Sequence, residues 1–362
     1  MKKKTLSLLL ATAMTAAMLV GCGSESGSTA DNSSASTDSG TSETAQPDEE
    51  TADTADASDS ADEASASDRV YKIGICQLVE HPALDAATEG FEDALSELFV
   101  DGNVFFDFQN AQGEQTNCAT ITTQYVSDGV DLIMANATAP LQAAAAATNT
   151  IPILGTSITD YATALDISDW TGATGTNISG TCDLAPIDEQ ENMLVELFPD
   201  VQKVGILYCS AEPNSKYQAD MFIACLEEDG IAYEELTAAD SNEIQSVVTS
   251  ACESCDVLYI PTDNTMASST ELINNIALPA GVPIIAAEEG ICAGCGVATL
   301  SISYYDIGYK AGEMAYDILV NGADVSTMEI EYAPQVTKEY NASICEELGI
   351  TVPDDYVAIA AE

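Results

Sequence analysis

Val70-Tyr71-Lys72-Ile73-Gly74-Ile75-Cys76 is a short β-branched run that ends in a polar loop, and Lys203-Val204-Gly205-Ile206-Leu207 repeats it farther along the chain. After the first run, Pro82 opens a helical pattern with apolar residues at Leu84, Ala87, Phe91, Leu95 and Leu98. Proline at a first helical position is a start signal, since its missing N–H is not needed there. A strand at 104–108, a helix around 117–126, a strand at 131–135, an Ala-rich helix at 141–148 and a strand at 151–154 follow. This alternation predicts a parallel sheet with helices on both faces.

The second run starts the pattern again. A helix through Tyr217, Met221 and Cys225 follows it. Cys255-Asp256-Val257-Leu258-Tyr259-Ile260 echoes Val130-Asp131-Leu132-Ile133-Met134, and Gly281-Val282-Pro283-Ile284-Ile285 echoes Thr150-Ile151-Pro152-Ile153-Leu154. Three correspondences in one order predict two doubly wound α/β lobes. Ligands of open α/β sheets bind beyond the carboxyl ends of the strands, so facing lobes line one cleft with their strand-end loops. These loops are rich in hydroxyls, amides and carboxylates, the stock for holding a small polar molecule by hinge closure.

The N-terminus carries an address. Lys2, Lys3 and Lys4 precede an apolar run from Leu6 to Val20, and Leu19-Val20-Gly21-Cys22 closes it. That layout is a secretory signal, too short for a typical transmembrane helix. Its end resembles a bacterial lipobox, which implies cleavage before Cys22 and a lipid on that thiol. From Gly23 to Asp68 the chain is almost entirely Ser, Thr, Ala, Gly, Asp and Glu, with Pro47 and no aromatic residue. It is expected to be a disordered acidic linker.

Charge narrows the partners. The chain has 60 Asp and Glu against 9 Lys and Arg, a formal net charge of -51. Such a surface repels nucleic acid and anionic headgroups. One Arg, Arg69, ends the stalk, so phosphate or dicarboxylate ligands, which usually recruit Arg forks, are disfavoured. A zwitterion fits better. Its carboxylate has candidate partners in Thr138, Ser157, Asn214 and Ser215, and its ammonium in Glu80, Asp160, Asp263 and Glu289. Leu78, Pro140, Tyr161 and Pro213 are candidate apolar walls. Gln77, Thr159, Asn177 and Asn264 complete the expected ligand-binding set. Each of these polar residues has a competing role in turns or helix caps.

Catalytic chemistry finds little support. His81 is the only His, set before Pro82 at a helix start, where capping or ligand contact explains it better than a triad. No nucleophile elbow, zincin or P-loop motif occurs. The ten cysteines after Cys22 read first as buried structural thiols. Disulfides within Cys252–Cys255 or Cys292–Cys295 come second, and zinc third. No cofactor or metal is expected.

Gln77-Leu78-Val79-Glu80-His81-Pro82-Ala83-Leu84-Asp85 followed by Gly90-Phe91 resembles the opening of a family of ABC-transporter solute-binding proteins. That family includes binders of tryptophan and other aromatic amino acids. Asn110-Ala111-Gln112-Gly113, Thr174-Gly175-Thr176-Asn177, Glu212-Pro213-Asn214-Ser215, Pro261-Thr262-Asp263-Asn264 and Tyr304-Tyr305-Asp306-Ile307-Gly308 extend the resemblance in order. It implies a type I periplasmic-binding-protein fold, with two Rossmann-like lobes joined by a hinge. It also implies no catalysis and delivery of solute to a membrane permease. Cys209, Cys292 and Cys295 depart from the usual pattern near the pocket.

The expected layout is a signal peptide at 1–21, the lipidated Cys22 with its linker to 68, a first lobe of 69–177 and 301–323, and a second of 178–300 and 324–362. The helix around 305–319 is expected on the first lobe. The expected function is a monomeric, lipid-anchored extracytoplasmic receptor of an ABC importer. Its cargo is expected to be an aromatic amino acid such as tryptophan, phenylalanine or tyrosine, and its only membrane contact the lipid. A sugar or nucleoside cargo, a sensor feeding a membrane receptor, and a surface enzyme are the alternatives.

Overall fold

The computed structural model describes residues 69–100 and 102–360. The expected signal peptide, Cys22 and linker lie outside them. The first lobe is built from β1 (Tyr71–Gln77), α1 (Pro82–Leu98), β2 (Val104–Asn110), α2 (Gln115–Asp128), β3 (Leu132–Asn136), α3 (Thr138–Ala147), β4 (Ile153–Ile158), α4 (Tyr161–Leu165) and β5 (Ile178–Cys182). The second follows with α5 (Ile187–Leu197), β6 (Lys203–Cys209), α6 (Pro213–Asp229), β7 (Ala232–Ala238), α7 (Ile244–Ser254), β8 (Val257–Ile260) and α8 (Asn264–Ala267). It continues with α9 (Thr270–Ala280), β9 (Ile284–Ala286), α10 (Glu289–Cys295) and β10 (Ala298–Ser301). After these come α11 (Tyr304–Leu319), β11 (Glu331–Tyr332), β12 (Thr337–Tyr340), α12 (Ala342–Leu348) and β13 (Val357–Ala358).

Both sheets have the same order. The first runs β2-β1-β3-β4-β5-β11 and the second β7-β6-β8-β9-β10-β12-β13. The neighbours of β1 and β6 are parallel throughout, and β12 runs antiparallel to β10, with β13 parallel to β12. In each lobe the chain winds one way from the opening strand and then the other, which leaves a crevice at the carboxyl ends beside that strand. The central strands β3, β4, β8 and β9 are buried along their whole length, as parallel strands covered on both faces must be.

The first and third passages between the lobes fall at places other than those expected. Ile178–Cys182 pairs with β4 in the first sheet, so the first crossing follows Cys182 instead of falling near 175–179. The two-residue β11 pairs with β5, so the first lobe keeps the chain to about Tyr332 and not 323. Neither strand has a long apolar run, and pairing partners fix both.

Between these crossings α11 lies on α1. A Cβ on Gly308 would sit 2.0 Å from the carbonyl oxygen of Ala87, and one on Gly90 would sit 2.2 Å from that of Tyr305. The missing side chains let the two helix backbones touch. A glycine inside a helix costs about 1 kcal/mol against Ala, and the contact offsets that. All ten cysteines from Cys76 to Cys345 are free, eight of them buried. Among the described residues no cluster of metal-ligating side chains forms, and no helix is long and apolar enough to cross a membrane.

Candidate ligand cleft

The crevices of the two sheets meet at one small, partly open cavity. The first lobe and its crossings line it with His81, Ala83, Leu84, Ser157, Asp183 and Tyr304. The second lobe supplies Asn214, Thr262, Asp263, Asn264, Ala267 and Glu288. Each polar residue stands at a strand end or a helix start. His81 precedes Pro82 in extended backbone (φ -164°, ψ 161°) and caps nothing with its side chain. Asp263 and Glu288 are the N-caps of α8 and α10. Asp183 follows β5, and Tyr304 opens α11.

Backbone strain collects on the first-lobe side. Ser157 has φ 57° and Ala137 has φ 96°, values that L-residues rarely adopt. They lie at the ends of the neighbouring strands β4 and β3, and the β4–β5 register shifts between Gly155 and Ile158. Strain of this kind costs about 1–3 kcal/mol per residue and persists where surrounding structure enforces it, often at ligand clamps. The Ser157 hydroxyl and His81 Nδ1 are both buried without a hydrogen-bond partner.

Asp183 is the hub of the cavity. Thr159 Oγ1 donates to its Oδ1 at 2.9 Å, and Tyr304 Oη donates to its Oδ2 at 3.1 Å. Gln218 Nε2 of the second lobe donates to Thr159 Oγ1 at 3.2 Å, and Gln218 Oε1 accepts from the Thr262 N–H. One network therefore joins both lobes through this carboxylate. Burial pushes the Asp183 carboxyl up to about 6, against the pull of its two hydroxyl donors. Burial also raises Glu288 to about 7, although the N–H groups of Gly290 and Ile291 hold it. Asp263 is raised well above the ordinary range by burial, with the Glu212 charge adding to it.

Among the described residues no Lys or Arg lines the cavity. Arg69 pairs with Asp131, Lys203 with Glu234, Lys216 with Asp220, Lys310 with Glu313 and Lys338 with Asp355, all toward the outer surface. The acids of the cleft have no internal counter-ion.

Of the expected site residues, Ser157, Asn214, Asp263 and Asn264 come together here, with Thr159 just behind. Asp263 gives both oxygens to main-chain N–H groups, of Met266 and Cys209. Ser215 donates to the Thr262 carbonyl. The others are not at the cavity. Gln77 is bonded to Val79, Asp85 and Thr88 and fixes the start of α1. Glu80 is exposed, and Thr138 is buried at the first turn of α3. Asp160 caps α4, and Asn177 donates to the carbonyls of Thr148 and Ile151. Glu289 faces an outer groove shared with Glu339. Tyr161 is spent in the first-lobe core, its hydroxyl on the carbonyls of Gly155 and Thr181.

His81, Asp183, Glu288 and Tyr304 were absent from the expected set. Asp183 directly follows β5, a strand that only its pairing with β4 assigns to the first lobe. Glu288 lost out to its neighbour Glu289, which no local signal separates from it.

His81 Nε2 lies 3.2 Å from Asn264 Oδ1 across the cleft, so the lobes are closed on each other.

A model of the ABC transporter substrate binding protein family matches residues 72–362. A tyrosine-binding protein of Clostridioides difficile (strain R20291) is 36% identical over 319 residues, 88% of this chain and 84% of that one. A Streptococcus pneumoniae ABC domain in complex with L-Trp superposes with a TM-score of 0.75 at 33% identity, covering 79% of this chain and 96% of that one. A ligand-free, open substrate binding protein with adhesive properties from Clostridium difficile gives 0.62 at 38% identity, covering 81% and 100%. The ligand-bound relative fits better despite its lower identity, in keeping with the closed cleft.

Proposed function

Because the chain belongs to the ABC transporter substrate binding protein family, we propose that it is the lipid-anchored extracytoplasmic receptor of an importer and carries an aromatic amino acid. The observation that carries this reading is Asp183, a buried carboxylate with only hydroxyl partners in a cavity without a cation. A ligand ammonium supplies the missing charge, and a charge-assisted hydrogen bond there is about twice as strong as a neutral one.

The ligand carboxylate meets no Arg. It is held by the unpartnered Ser157 hydroxyl, which lines the same cavity. Leu84, Ala83, Ala267 and the Tyr304 ring provide the apolar wall. The tyrosine-binding relative and the L-Trp complex support an aromatic cargo. The role is binding and hand-over, with no bond made or broken. Cleavage before Cys22 and lipidation of its thiol would hold the receptor beside a permease at the membrane.

The test is a thermal-shift panel on the unlipidated mature chain, residues 23–362, with amino acids, nucleosides and sugars. A ligand at 100 times its Kd should stabilise the fold by about 2.7 kcal/mol. Shifts confined to aromatic amino acids are expected. A shift with a sugar or nucleoside and none with aromatic amino acids would refute the cargo.

A further inference from the structure

His81 is the single histidine of the chain, and its hydrogen bonds fix its tautomer. Asn264 Nδ2 donates to Glu212 Oε2 at 2.6 Å. The same carboxylate accepts the main-chain N–H groups of Asn264 and Thr265 at 3.0 and 2.9 Å and the Thr265 hydroxyl at 2.7 Å. With the Asn264 amide so oriented, the atom facing His81 is Oδ1, which can only accept. His81 Nε2 must therefore carry the hydrogen on this 3.2 Å contact. A neutral imidazole has one N–H, so Nδ1 is left as a bare lone pair. Burial lowers the pKa of this ring and keeps it neutral.

That lone pair has no partner in the protein, although His81 is only 7% exposed and lines the cavity. A buried acceptor left unpaired is destabilising, because it has given up water and gained nothing in return. The neighbouring cavity hydroxyl of Tyr304 cannot relieve it, since it donates to Asp183. The Ser157 hydroxyl, the other unpaired group of the cavity, is assigned above to the ligand carboxylate, which leaves a donor on the bound molecule to meet Nδ1. We propose that His81 Nδ1 is the specificity element of the cleft, accepting a hydrogen from the side chain of the cargo, so that the protein selects aromatic amino acids bearing a phenol O–H or an indole N–H over phenylalanine. The proposal rests on the amino-acid reading above, in which the ammonium goes to Asp183. A ring without a donor leaves Nδ1 dehydrated and unpaired. Sites that hydrogen-bond a substrate group reject analogues lacking it far more strongly than apolar pockets reject a size change.

Two measurements on the unlipidated mature chain, without a histidine tag, test this. Calorimetric titration should show tyrosine or tryptophan binding on the order of 10²-fold or more tighter than phenylalanine. In His81→Leu the loss of the Asn264 contact weakens every ligand, but the ratio to phenylalanine should fall by about tenfold or more, to what apolar fit alone leaves. Imidazole ¹⁵N spectra give an independent reading from one residue. The free protein should show Nε2 protonated and Nδ1 bare, and the Nδ1 signal should move with tyrosine or tryptophan and stay with phenylalanine. Equal affinity for all three amino acids, an unchanged ratio in His81→Leu, or a proton on Nδ1 in the free protein overturns the His81 assignment and leaves the amino-acid reading standing. Binding of none of the three overturns both.

Discussion

Asp183→Asn should weaken binding of aromatic amino acids by on the order of 10²- to 10³-fold, while making the ligand-free protein more stable at neutral pH. The first effect follows from removing one partner of a buried charge pair, which costs about 3–5 kcal/mol. The second follows from burial. Asp183 titrates at about 6 in the fold, against about 3.9 for an unfolded Asp. Between those values the folded chain holds a proton that the unfolded chain has released. This group's contribution to stability is therefore fully present below pH 4 and is lost as pH rises through 6. Two pKa units correspond to about 3 kcal/mol, taken as an upper bound. Asn never ionises, so the variant should lack this decline. Denaturant unfolding at pH 5 and 7.5, paired with titration of ligand, reads both effects. A variant that keeps its affinity, or loses stability at pH 7.5, would contradict the assignment. Wild-type affinity should also fall below pH 6, because a protonated Asp183 gives the ammonium no charge to meet.

Gly308→Leu should unfold the protein or lower its stability by about 3 kcal/mol or more, since overpacking a buried contact has no side-chain route to relief. The substituent would meet the Ala87 carbonyl oxygen at 2.0 Å, and carbonyl and residue both belong to helix backbones. For a domain of this size that loss lowers Tm by about 6–12 °C. Leu at the solvent-facing Glu313 on the same helix is the control and should cost little. A Gly308→Leu protein melting with the wild type would mean that α1 and α11 are not seated as described. The contact also matters for function. Helix α11 follows the second crossing, and its first residue, Tyr304, holds Asp183. Moving α11 off α1 would move the donor that orients the hub.

The repeat was legible because each of its parts is local. β-branched runs such as Ile73–Ile75 and Val204–Leu207 and the helix-opening Pro82 signal their structure within a few residues. The crossings were not legible, because β5 and the short β11 are strands only by virtue of their partners. The site divides along the same line. Ser157 and Asn214 were found because strand-end polar residues were the right place to look. Asp160 and Asn177 were drawn from the same pool, and the structure spends them on a cap and on loop carbonyls. His81, Asp183 and Tyr304 are far apart in sequence and share a cavity only once both crossings are placed. The absence of Arg in the folded part, by contrast, already pointed away from anionic cargo, and among the described residues no Lys or Arg lines the cavity.

The buried, cation-free cleft should draw its affinity from the ammonium of an aromatic amino acid. Calorimetric titration of the unlipidated mature chain at pH 7.5 tests it most directly, comparing tyrosine and tryptophan with their deaminated acids, which keep the ring and carboxylate. One amino acid bound per chain, with the deaminated acid on the order of 10²-fold weaker or silent, is the predicted result. Equal or tighter binding of the deaminated acid would contradict it.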